Sequence, residues 1–108
     1  MKTISIKNTE TKQNPHGVDV KQLYNQKDAQ VMHIALQSGE SLKPHKTPVD
    51  VFFYVLEGNP TVFVGEESFV AEKDTLIESP KDIIHYISNQ TNELARILVV
   101  KTPNPQKK

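Results

Sequence analysis

The sequence predicts a single all-β domain, folded as a sandwich or a barrel. Its 108 residues are enough for one compact domain that buries its own core. Short segments rich in β-branched and aromatic residues follow one another, and turn residues such as glycine, proline and asparagine separate them. After residue 30, no segment repeats its apolar residues at the 3.6-residue period of a helix.

The N-terminal part is polar, and its elements are short. The alternation in Ile4–Ile6 predicts either an edge strand or an ordered arm. Asn14–Gly17 predicts a turn, in which we expect His16 to be solvated. The partly alternating segment 18–24 predicts a strand, and the polar segment 25–28 predicts a loop.

Strand signals are stronger in the rest of the chain. We expect strands over 31–36, 51–56, 61–64, 68–70, 75–77, 83–87 and 94–101. Gly65–Glu67 separates two of them and fits the turn of a β-hairpin. The last segment, 102–108, contains two prolines and two lysines and predicts a flexible tail.

Composition excludes several classes of protein. Thirteen basic and thirteen acidic residues cancel, and no basic cluster precedes the terminal Lys107-Lys108, so we expect no nucleic-acid partner. The absence of cysteine excludes disulfides and thiolate ligands. No apolar run has the length of a signal peptide or a membrane helix, so we expect a cytoplasmic protein without a membrane partner.

The segment Gly39–Gly58 combines a glycine turn, His45, an apolar strand and a second glycine turn. It resembles the first motif of the cupin superfamily, G-x5-H-x-H-x3-4-E-x6-G. The motif's second histidine falls at Thr47 and its glutamate falls at Val51. The structural half of the motif is therefore kept, whereas the metal-binding half is altered.

The segment Asp74–Asn89 resembles the second cupin motif, G-x5-P-x-G-x2-H-x3-N. Pro80, His85 and Asn89 have the family spacing, and we expect Asn89 to be structural. Asp74 and Asp82 replace the two glycines. Since aspartate tolerates left-handed turns better than most residues, we expect both turns to form.

The resemblance covers residues 31–100 and implies a jelly-roll-like barrel, the double-stranded β-helix. We therefore expect one cupin domain over 1–108, with an N-terminal arm and edge strands over 1–28. The conserved barrel would occupy 29–101, followed by the flexible tail over 102–108. Similar single-domain cupins are often homodimers that exchange or pair N-terminal strands, so we expect a homodimer here.

In metal-bearing cupins, three histidines and one glutamate hold iron, manganese, zinc or nickel. Of that set, the resemblance leaves His45 and His85 as metal ligands here. A third ligand has two candidates: Asp50, if a bulge after Pro48 turns it inward, and His33, from a neighbouring apolar strand. Two imidazoles alone would hold a divalent ion weakly, because protein sites usually supply three or four ligands.

Strand alternation also predicts a ligand pocket inside the barrel. Residues two apart share a face, so the inward wall would hold His45, Thr47, Val51, Phe53 and Val55, and the resemblance to the second motif adds His85. Without the motif's glutamate this wall is largely apolar, which suits either a small-molecule site or a packed core.

Three functions are compatible with these motifs. The first is a cupin that binds a small molecule, with a divalent metal weakly held on the two histidines. The second is a metal-dependent dioxygenase or isomerase that uses His45, His85 and a non-standard third ligand. The third is a structural dimer module. The sequence identifies no catalytic residue and leaves open whether the protein is an enzyme.

Overall fold

The computed structural model describes residues 1–107, which form eight β-strands and one short 3-10 helix. The helix is Ile6–Asn8, and the strands are β1 Asp19–Gln26, β2 Ala29–Leu36, β3 Asp50–Glu57, β4 Thr61–Val64, β5 Glu67–Val70, β6 Leu76–Ser79, β7 His85–Ser88 and β8 Ala95–Thr102. The predicted all-β class is confirmed. Within residues 1–107, no helix is long and apolar enough to cross a membrane.

The strands form two antiparallel sheets. The larger sheet has the order β1-β2-β8-β3-β6, and the smaller has the order β5-β4-β7. Isolated bridges from Ser41 to Ser88 and from His45 to His85 add the segment before β3 to the free side of β7. Buried residues of both sheets belong to one hydrophobic core. This is the predicted double-stranded β-helix.

The register of the larger sheet arranges its inward side chains in rows, because directly paired residues point to the same face. One row is polar at most positions, and the next two are apolar. The polar row, taken in the order β2, β8, β3 and β6, consists of Gln30, Lys101, Val51 and Ser79. In the same order, the first apolar row consists of Met32, Val99, Phe53 and Ile77. The second apolar row has no member on β6 and consists of Ile34, Ile97 and Val55. The inward face therefore changes from polar to apolar along the strands.

Two turns of the cupin motifs need left-handed backbone. Asp74 and Asp82, which replace motif glycines, have φ values of 66° and 64°, as expected of residues that tolerate this conformation. Gly58 has φ +81°, and a Cβ there would approach the Ala95 Cα to 2.9 Å. Gly58 is therefore required both by its conformation and by its contact with the start of β8.

The N-terminal segment is an ordered arm rather than an edge strand, the other predicted alternative. Ile4–Ile6 forms no strand, because its backbone turns into the 3-10 helix, where the N–H of Thr9 donates to the carbonyl of Ile6 at 3.2 Å. The ammonium of Lys21 on β1 also donates to the Ile6 carbonyl, at 3.1 Å. The arm is thus bonded to the outer strand of its own barrel.

The segment 102–108, predicted to be a flexible tail, contacts the barrel. Thr102 is the last residue of β8, and Asn104 is buried. The Asn104 amide donates to the Asn25 side chain at 2.6 Å and to the Gln26 carbonyl at 3.0 Å. Lys108 lies outside the described residues.

Candidate functional site

A cavity of about 300 Å³ lies between the two sheets. Its apolar lining comes from Val20, Met32, Ile34, Leu42, Phe53 and Val99. Its polar lining includes two lysines and three histidines, and no aspartate or glutamate among residues 1–107 lines it. An apolar surface with a few convergent polar groups is typical of small-molecule sites.

The motif histidines lie side by side at this cavity. His45 and His85 exchange two backbone hydrogen bonds, with N···O distances of 3.2 and 2.9 Å. Their rings meet edge to face with centroids 4.7 Å apart, and both side chains line the cavity. The backbone pairing therefore brings together the two histidines that the sequence predicts to share one cavity.

Both ring nitrogens of His85 have hydroxyl partners. Nδ1 lies 2.7 Å from the Ser79 Oγ, and Nε2 lies 3.2 Å from the Thr47 Oγ1. Burial, aided by the nearby His45 and Lys101, lowers the pKa of His85 to about 4. The ring is therefore neutral at pH 7, and one hydroxyl donates to it while the other accepts from it.

His16 is a third imidazole at the site, which the sequence did not indicate. It is half-buried rather than solvated, lines the cavity, and lies 5.2 Å from the His45 ring. Burial and the neighbouring His45 lower the pKa of His16. We call His16, His45 and His85 the histidine row.

The peptide groups of Lys43 fix the tautomers of two members of this row. The Lys43 N–H donates to the His16 Nδ1 at 2.7 Å, so neutral His16 carries its proton on Nε2. The His45 Nδ1 lies 2.9 Å from the Lys43 carbonyl, which can only accept, so Nδ1 carries a hydrogen and donates it. Neutral His45 therefore keeps a lone pair on Nε2. The row thus presents a donor at His16 and an acceptor at His45.

The predicted pocket residues divide into two groups. His45, Phe53 and His85 line the cavity. Thr47, Val51 and Val55 are buried but do not line it. Thr47 supports His85, whereas the two valines pack in the hydrophobic core.

Neither candidate for a third metal ligand reaches the motif histidines. Asp50 is exposed, and its Oδ1 accepts the backbone N–H of Lys81 at 3.0 Å. His33 alternates with inward Met32 and Ile34, so it points to the opposite face of β2. There the His33 Nε2 accepts from the Arg96 Nη1 at 3.1 Å.

Comparison with known families decides the classification. The family profile described as "Cupin domain" matches residues 32–101. The chain belongs to the cupin family. No curated protein matches this cupin in sequence.

Solved structures share the fold over nearly the whole chain. An RmlC-like cupin from Shewanella frigidimarina is 18% identical, covers 94% of this chain and 89% of its own, and has a TM-score of 0.83. TT1209 from Thermus thermophilus is 26% identical, with 95% and 98% coverage and a TM-score of 0.82. An RmlC-like cupin from Methanocaldococcus jannaschii is 23% identical, with 91% coverage of each chain and a TM-score of 0.77.

The donor set of this cupin does not fit the centre of three histidines and one glutamate that its motifs imply. Among residues 1–107, no three histidine, aspartate or glutamate side chains converge in a geometry that could hold a metal ion. Both nitrogens of His85 are already partnered, as are the Nδ1 atoms of His16 and His45. Val51 occupies the glutamate position and has no lone pair.

Lys101 is the cavity residue that sequence reasoning missed although a signal was present. Ala95, Ile97 and Val99 alternate as inward residues of β8, and Lys101 continues the same phase. An inward lysine at the end of an apolar strand marks a polar site. Lys12 and His16 carried no comparable signal, because they lie outside strands, where no periodicity shows which way a side chain points.

Proposed function

We propose that this cupin binds a small organic molecule in the cavity between its sheets, without a tightly held metal. The observation that carries the proposal is a cavity of about 300 Å³ with apolar side chains on one part of its surface and convergent polar groups on another. A cytoplasmic location, expected from the sequence, belongs to the same proposal.

The polar lining argues against the alternative of a merely packed core. A filled barrel interior is normally apolar, yet Lys101 and the histidine row face this space. Gln30 is also buried there, and its amide donates to the Gln106 Oε1 at 3.1 Å. So many polar groups directed at one space are expected where they contact a ligand or water.

A fragment screen followed by nuclear magnetic resonance tests this proposal. Bound fragments should shift the backbone amides of Ile34, Phe53 and Val99, and Val99→Phe should abolish binding by filling the cavity. Val70→Phe is the matched control, because Val70 is 62% exposed whereas Val99 is 6% exposed. Shifts confined to β5 and β6, or binding that survives Val99→Phe, would place the ligand elsewhere and overturn the proposal.

A metal-dependent dioxygenase or isomerase is the second candidate. It is favoured by the proximity of His45 and His85, whose ring centroids lie 4.7 Å apart. These two histidines would then need a third ligand, and the adjacent His16 would have to release the Lys43 N–H that its Nδ1 accepts. Manganese, iron, nickel and zinc are the metals to consider.

Elemental analysis of protein purified without a histidine tag separates the two candidates. Stoichiometric metal that is lost in His45→Ala and in His85→Ala would support the metal-dependent enzyme. Substoichiometric metal that is unchanged by either substitution would support the binding protein.

A further inference from the structure

The charge of the cavity identifies the class of ligand. The protein as a whole is neutral, but the cavity lining contains Lys12 and Lys101 and, among residues 1–107, no carboxylate. We infer that the cavity takes a small organic anion, a compact oxyanion group on an apolar body, with Lys101 as its counter-ion. This inference rests on the proposed function and adds the chemical class of the ligand.

Lys101 faces the cavity from the middle of the larger sheet. It pairs with Gln30 on one side and with Val51 on the other, and both of these side chains are buried and inward. Val51 occupies the position at which the first cupin motif has its glutamate. No acidic side chain therefore lies beside the Lys101 ammonium from that strand.

Within residues 1–107, Lys101 has no ionic partner. The ion pair found there joins Arg96 to Glu57 at 2.8 Å, on the opposite face of the sheet. The Lys101 ammonium makes no side-chain hydrogen bond within this part of the chain, and the partly buried Lys101 side chain lines the cavity. It is therefore accessible from the cavity and available to a ligand.

A half-buried ammonium without a counter-charge is unfavourable. Burial, together with repulsion from Lys12, lowers the pKa of Lys101. Lys12 brings a second positive charge, and its ammonium donates to the Gln22 Oε1 at 3.2 Å. A bound oxyanion would supply the missing negative charge to both lysines.

The rest of the lining suits the other parts of such a ligand. His16 has an N–H on Nε2 that no group within residues 1–107 accepts, so it can donate to an oxyanion. Phe53, Val99 and Ile34 form an apolar surface for the body of the ligand. The cavity is at the small end of the range for ligand pockets, roughly 300–1,000 Å³, which favours a compact molecule.

Titration calorimetry with benzoate, phenyl phosphate and benzamide tests the inference. Benzoate and benzamide have nearly the same shape but differ in charge, whereas phenyl phosphate distinguishes a phosphate site from a carboxylate site. We expect at least one of the two anions to bind about tenfold or more tightly than benzamide, since charge-assisted hydrogen bonds are the stronger ones. Added sodium chloride should weaken binding of the anion and leave that of benzamide unchanged.

Lys101→Met is the decisive variant. If methionine disturbs folding, Lys101→Gln takes its place. Either substitution should remove the preference for the anion without weakening the binding of benzamide. Thermal denaturation should show a melting temperature at or above that of the native protein, because a buried charge is removed. Lys73→Met, which changes an exposed lysine in the turn before β6, should bind all probes as the native protein does.

The outcomes separate this inference from the proposed function. Benzamide binding as tightly as both anions, or an anion preference that survives loss of Lys101, would overturn the anion class and leave a small-molecule site. If none of the three probes binds, the anion class is overturned. If the fragment screen also finds no ligand in the cavity, the proposed function fails as well.

Discussion

His45 and His85 are joined by a reciprocal pair of backbone hydrogen bonds, and their imidazoles meet edge to face with centroids 4.7 Å apart. This backbone pairing holds the two motif histidines next to each other. Ser79 and Thr47 then fix the His85 ring from the other side.

Ser79→Ala should destabilise the protein by about 1–3 kcal/mol, because it leaves the buried Nδ1 of His85 without a partner. Ser68→Ala on β5 is the control, since Ser68 is exposed and its loss should change stability by less than about 0.5 kcal/mol. Urea denaturation measures both. Equal effects of the two substitutions would show that the Ser79 bond contributes nothing.

His85 should make the protein less stable as the pH falls. Its pKa is about 4 when folded and near 6.5 when unfolded, so between these values only the unfolded chain binds the proton. The free energy of unfolding should therefore be unaffected by the titration of His85 above about pH 6.5 and should fall between pH 6.5 and pH 4, by up to about 3 kcal/mol in total. Urea denaturation of the native protein and of His85→Gln at several pH values measures how much of the pH dependence is due to His85. Parallel pH profiles for the two proteins would refute the assignment.

Thr47→His combined with Val51→Glu should create a metal site. Position 47 already contacts the His85 Nε2, and position 51 lies on the inward row beside Ser79. We expect affinity for manganese or nickel to rise by orders of magnitude in titration calorimetry. Metal should raise the melting temperature of this variant far more than that of the native protein, because a ligand that binds only the folded state stabilises it.

The single variant Val51→Glu is the control for the double substitution. A glutamate at position 51 would pair across the strands with Lys101, so it should abolish the anion preference without strong metal binding. Nanomolar metal affinity in the native protein would contradict the view that these two positions limit metal binding.

Gly58→Ala should destabilise the protein more than Gly39→Ala. Both glycines have positive φ, +81° and +82°, so alanine costs about 1–2 kcal/mol at either position. Only at Gly58 would the new Cβ also press on the backbone of Leu94 and Ala95, whereas at Gly39 it meets open space. We expect about 1–3 kcal/mol more at Gly58, measured by urea denaturation. A difference near zero would mean that β8 moves away at no cost.

The homodimer expected from the sequence stays a prediction. The outer strands β1, β5 and β6 leave sheet edges without a partner strand within residues 1–107, and Phe69, Val70 and Leu76 are exposed there. Light scattering at micromolar concentration should give twice the monomer mass. Deleting residues 1–8 should lower that mass if the arm pairs with a second chain, and should leave it unchanged if it only contacts its own β1.

The fold and the position of the motif histidines could be predicted from the sequence because they follow local rules. Alternation in β3 places Phe53 inward, and motif spacing places His45 opposite His85. Turn chemistry predicts the left-handed Asp74 and Asp82. Each of these features depends on a few neighbouring residues, which the sequence displays directly.

The rest of the site could not be predicted, because it depends on contacts between distant segments. His16 joins the histidine row through the backbone of Lys43, 27 positions away. His33 has the apolar neighbours expected of an inward residue, but it is buried on the other face through its contact with Arg96. Apolar alternation shows that a residue is buried and does not show on which face.

The opposite tautomers that Lys43 imposes on His16 and His45 have a stereochemical consequence. A ligand held by Lys101 meets a hydrogen-bond donor on one ring and an acceptor on the next, which gives three different, fixed points of attachment. Three unlike points can match only one hand of a chiral molecule. A hydroxy acid that places its carboxylate at Lys101, its hydroxyl at His45 and a further acceptor group at His16 should therefore bind as a single enantiomer, and its mirror image should bind more weakly although the two have the same size, charge and polarity.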